Sequence, residues 1–82
     1  MALTYKIKSW DEDSGNVLVG FMVTDDSDDS VFIIDKSIVK GSKTDAVISQ
    51  EAYNASQTEV NAWVASRSNL GKTFDPSNNT LS

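Results

Sequence analysis

The chain has no cysteine and no histidine. Without cysteine, neither a disulfide framework nor a thiolate metal site can staple the fold. Without histidine, the commonest general base, the commonest metal ligand and the usual pH switch are all missing. Glycine is sparse, and Gly41 and Gly71 stand alone, so no phosphate-cradling glycine loop is present. Cations are few: seven Lys and Arg against twelve Asp and Glu leave a net charge of −5. A surface of that sign repels phosphate backbones and anionic membranes, so neither nucleic acid nor membrane is an expected partner. No apolar run approaches the ~18 residues that span a bilayer. The opening MALTYKIKSW carries Lys6 and Lys8 but no apolar segment, and reads as mature sequence rather than a signal peptide.

What is present is one small domain's worth of alternating pattern. Eighty-two residues bury a limited core and sit near the margin of independent stability. Leu3, Tyr5 and Ile7 alternate with Thr4, Lys6 and Lys8, which predicts an amphipathic strand. Trp10 breaks that parity and falls on the polar face. The acidic stretch 11–16 predicts a hairpin turn, with positive φ at Gly15 and Asn16. Val17, Val19, Phe21 and Val23 form one face of a second strand. Leu18, Gly20, Met22 and Thr24 form the other face, which is also partly apolar, so this strand is predicted to be central. Gly20 marks a bulge or a close approach of a helix. After the polar turn 25–30, Val31 to Asp35 reads as a third strand, and Ser37 to Val39 can extend it.

The segment 56–71 is the clearest helix. Ser56 with Glu59 three residues later matches a capping box, and Val60, Trp63 and Val64 make an apolar stripe. Arg67 suits the C-terminal end of the dipole, and Leu70-Gly71 reads as the stop. A fully buried Trp63 would lose about 3–5 kcal/mol on truncation to Ala. The stretch 44–53 reads two ways: a short strand or irregular lead-in, which is preferred, or a short helix capped by Thr44. Beyond Gly71 the tail has no period, and Pro76 with Asn78-Asn79 argues against regular structure. The expected fold is therefore α+β. An antiparallel meander of three to four strands packs against one C-terminal helix over 1–71, and 72–82 form an extended or flexible arm.

Chemistry is hard to place on these residues. Counted as calcium loops from Asp11 or Asp25, both acidic turns lack the Gly at the sixth position and the Glu at the twelfth. A looser cation site joining the two turns is the remaining metal reading; the plainer one is two solvated turns at one end of the sheet. No Ser-x-x-Lys stands on the predicted helix. No cofactor, metal or catalytic residue is expected, and the chain reads as no enzyme. Two groups of exposed apolar side chains are candidates for protein binding. Trp10, Leu18 and Met22 form a patch on the sheet if they lie away from the helix, the plainer reading being that they pack against the tail or the 37–53 stretch, and Phe74 and Leu81 are anchors in the tail.

In layout, a MALTYKI strand, a Gly-Asn hairpin into VLVGFMVT and a TEVNAWV helix before a polar tail resemble the small accessory proteins of tailed bacteriophages. The helix motif rests on Thr58, Glu59, Trp63 and Val64. The resemblance implies a virion structural protein, assembled in the host cytoplasm, that decorates or connects larger capsid or tail subunits, and it carries over no site residue. The alternative is a soluble acidic inhibitor of a host protein, presenting the carboxylates of 11–13 and 25–29. Homo-oligomerisation fits the first reading.

Overall fold

The computed structural model describes residues 2–27 and 30–82. Asp28 and Asp29, part of the second acidic turn, lie outside the described residues. Three long strands, β1 (Leu3–Asp13), β2 (Asn16–Asp25) and β3 (Val31–Val39), form an antiparallel meander in the order β1-β2-β3. A helix of 23 residues, α1 (Asp45–Arg67), follows, and the chain ends in a small hairpin, β4 (Phe74–Asp75) and β5 (Thr80–Leu81). The α+β meander with one helix is thus present, with β2 in the centre as its two apolar faces indicated.

The first hairpin closes through Ser14 and Gly15, both at positive φ, with Asp13 paired to Asn16. This is the two-residue loop that matches strand twist, one residue earlier than the Gly15-Asn16 expected. Because one strand joins the two acidic turns, they sit at opposite ends of β2, roughly 30 Å apart at ~3.4 Å per residue. The expectation of two turns at one end of the sheet is overturned by this topology, which also holds the turns too far apart for one cation to join them.

β1 carries a bulge between Ile7 and Ser9. Ile7 pairs with Phe21 and Ser9 with Gly20, so Lys8 is the extra residue. The insertion reverses the side-chain parity downstream. Trp10 pairs with Val19 and joins the core face, against the expectation that it lies on the polar face with Leu18 and Met22. The bulge read at Gly20 is real but belongs to the partner strand. The helix lies on the other face from Gly20, where a Cβ would instead collide with Ser9 Oγ and meet Asp35 Oδ1 at 2.6 Å.

Val17, Val19, Phe21 and Val23 of β2, with Ile34 and Ile38 of β3, are buried beneath Ile48, Ala52 and Val60 of α1. The buried helix row is Ile48, Ala52, Ser56 and Val60. It follows a strict i, i+4 ridge, which runs obliquely to the helix axis. Its middle members are small, so the helix can settle close on the sheet. Ser56 is therefore a core residue, its hydroxyl donating to the Tyr53 carbonyl at 2.8 Å, and it caps nothing. The cap is Thr44, whose hydroxyl accepts from the Val47 N–H at 3.3 Å, so the helix is continuous through 45–55 where a strand or irregular lead-in was preferred. It ends at Ser68, three residues before Gly71, which sits in a following turn at φ +85°.

The helix packs mainly over β3 and reaches β1 through side chains alone. Gln57 donates to the Tyr5 hydroxyl at 3.1 Å, and Tyr5 and Tyr53 meet edge to face at 4.8 Å. Ile7, on the same face of β1, stays 46% exposed as a result.

Candidate functional site

The sheet face turned away from the helix is open. Register places its outward residues in rows across the strands: Thr4, Thr24 and Val31; then Lys6, Met22 and Ile33; then Ser9, Gly20 and Asp35; then Asp11, Leu18 and Ser37. Asn16 and Val39 complete the far end. Leu18 is 40% exposed, Ile33 47% and Val31 51%. Gly20 is central, and the Ser9 and Asp35 side chains lean over it into the space a Cβ would fill. An open depression of about 370 Å³ beside it is lined by Asp11, Asp13, Asn16, Leu18 and Ser37. Leu18 and Met22 therefore share this face as predicted, with Val31 and Ile33 as members the sequence reading missed. The alternation of Val31 and Ile33 with Phe32 and Ile34 was the available signal, hidden by the continuous apolar run. Trp10 is on the opposite face.

A second arrangement lies at the C-terminal end of α1. Arg67 Nη1 donates to Asp25 Oδ2 at 2.8 Å, and the N–H and hydroxyl of Ser27 donate to Asp25 Oδ1 at 2.9 and 2.7 Å. The Asp25 side chain is 1% exposed and that of Arg67 12%. The backbone N–H of Ser27 first, then Arg67 and the Ser27 hydroxyl, hold the Asp25 carboxyl down at about 2. The Arg67 guanidinium also lies 4.7 Å from the Trp63 ring centroid, and Trp63 stacks on Phe32 at 5.3 Å. This column pins the helix end to the sheet. A depression of about 260 Å³ beside it is lined by Asp25, Ser27, Val64, Arg67 and Ser68. With its carboxylate and guanidinium committed to each other, it is a structural clasp.

Other charges are spent locally as well. Lys40 bridges to Glu12, Lys36 to Glu59 and Lys43 to Glu51. The Lys40 ammonium lowers the Glu12 carboxyl, that of Lys36 lowers Glu59, and Glu12 in turn raises Lys40. Glu59 is thus an ion-pair partner on the helix flank rather than half of a capping box. Val60 is fully buried, while Trp63 and Val64 are half-buried against the core.

The tail forms a hairpin where no regular structure was expected. Phe74 pairs with Leu81 and Asp75 with Thr80, and Thr73 and Ser82 exchange backbone hydrogen bonds at 2.7 and 3.0 Å. Asp75 shapes the turn by accepting from the Ser77 N–H, and Asn79 takes φ +54°. Pro76 and Asn79 thus serve the turn itself rather than preventing it. Phe74 and Leu81 remain 56% and 49% exposed.

Among the described residues no group of three or more acidic side chains converges as a metal site, and no helix is long and apolar enough to cross a membrane. Compared with family models, with curated proteins and with solved structures, the chain matches none.

Proposed function

We propose that the chain is a non-enzymatic structural protein that works by protein–protein contact, decorating or connecting larger subunits. The observation that carries this reading is the uncovered sheet face, where Leu18, Val31 and Ile33 stand exposed around Met22 on a sheet whose other face is already packed. The paired Phe74 and Leu81 of the tail hairpin offer a second, separate apolar contact. The setting we propose is the bacteriophage particle, with a capsid or tail protein as partner. Its support is the resemblance in layout and in the Thr58, Glu59, Trp63 and Val64 helix motif.

The acidic-inhibitor alternative has less to stand on. Asp25 is committed to Arg67 and Ser27, and the two acidic turns are a strand's length apart. Mass spectrometry of purified particles from cells producing the chain tests the setting. Recovery at fixed stoichiometry after washing in high salt is expected. A chain found only in the soluble lysate, or released steeply as salt rises, would sink this reading and favour the inhibitor.

A further inference from the structure

The two edges of the sheet are unlike. The β1 edge carries the bulge at Lys8 and a run of charge, Asp11 to Asp13, both of which discourage pairing with another strand. The β3 edge pairs with β2 without a register break, is mostly apolar, and among the described residues has no strand on its other side. We propose that β3 pairs with β3 of a second copy, antiparallel and centred on Ile34, to make one continuous sheet of two meanders.

The register follows from which backbone groups are free. At one end Lys40 donates its N–H to the Gly15 carbonyl, and at the other the Ser30 carbonyl accepts from the Asp25 N–H. Even-numbered residues of this strand therefore bond towards β2, and odd-numbered ones turn their N–H and C=O outwards. The Lys43 ammonium confirms the parity, since it donates to the Val39 carbonyl at 2.9 Å. Val39 is thereby occupied, which leaves Val31, Ile33, Asp35 and Ser37 as the free residues.

A two-fold axis through Ile34 uses all of them. Ile33 then faces the second copy's Asp35 and Val31 faces its Ser37, giving about eight backbone hydrogen bonds across the pair. Centring on Asp35 or on Lys36 would set like charges face to face. Centring on Ser37 would need the Val39 carbonyl that Lys43 already holds. This pairing sets the two helices side by side on one face of the sheet. The helix flank above the β3 edge, the side carrying Glu51 and Glu59, presents the exposed small residues Ala55, Ala62 and Ser66. The pairing goes beyond the connector reading and stands whether or not the chain resides in a particle.

The test is the mass of the full chain by sedimentation equilibrium, together with two variants at one exposed position. Twice 8.9 kDa is expected at micromolar concentration. Ile33→Glu sets a carboxylate against Asp35 of the second copy and should weaken association by about tenfold or more. Ile33→Lys sets an ammonium there and should preserve or tighten it. Hydrogen exchange on the unmodified chain gives a readout independent of any variant. The amides of Ile33, Asp35 and Ser37 should be protected at high concentration and lose protection on dilution. A monomer at every concentration, equal effects of Glu and Lys, or unprotected odd-numbered amides in a dimer would each overturn the proposal.

Discussion

At the scale of single residues, Asp25 has the strongest pH signature among the described residues. Its carboxyl titrates at about 2 in the folded chain, against an ordinary value of 3.8. The unfolded state therefore binds its proton first as pH falls, and the stability that Asp25 supplies is complete above pH ~4 and lost as pH drops towards ~2. Urea midpoints measured from pH 6 to 2 should fall across that window, and Asp25→Asn should flatten the fall while lowering the plateau. An unchanged slope in Asp25→Asn would assign the acid sensitivity elsewhere. Trp63 is the other residue with a distinct expectation. It stacks on Phe32 and beneath Arg67, but is only half-buried. Trp63→Ala should therefore cost about 2–3 kcal/mol by denaturant titration, less than a fully buried tryptophan would.

At the scale of elements, the helix shows what a pattern can hide. The half containing Val60, Trp63 and Val64 was legible because its buried residues are large. The other half buries Ala52 and Ser56 between Ile48 and Val60, so no apolar stripe marks it. A capping pattern at Ser56 then supplied a false start inside a continuous helix. Thr44→Ala should cost about 1 kcal/mol by chemical denaturation, as the loss of a true cap does, and Ser56→Ala should stay within about 0.5 kcal/mol. The reverse order would mean that the helix begins at Ser56 after all. The meander was readable because strand alternation and turn residues agree from Leu3 to Val39. One inserted residue, Lys8, was enough to misplace Trp10, because a period of two offers no sign of a bulge until register is known. For the same reason Leu18 and Met22 were assigned to the right face of an unbulged strand, and Trp10 was not.

At the scale of the molecule, the chain is long and thin. Its radius of gyration is 16.9 Å and its extents are 58 × 22 × 15 Å, whereas a compact domain of this length has a radius near ~12 Å. The terminal hairpin makes its backbone bonds within itself, between Thr73 and Ser82 and between β4 and β5. Removing residues 73–82 should therefore leave the melting temperature of the sheet and helix within about 2 °C, while the radius from small-angle scattering falls by several ångströms. A large drop in melting temperature would show that the hairpin belongs to the core. The bulge at Lys8 has a last consequence at this scale. A three-stranded sheet with two receptive edges would add copies head to tail without limit, and an abundant protein of that kind would deposit as fibres. On the proposed pairing, with one edge deformed and charged, growth would end once two receptive edges had met. On the proposed pairing, the residue that carries Trp10 into the core would also be what ends polymerisation.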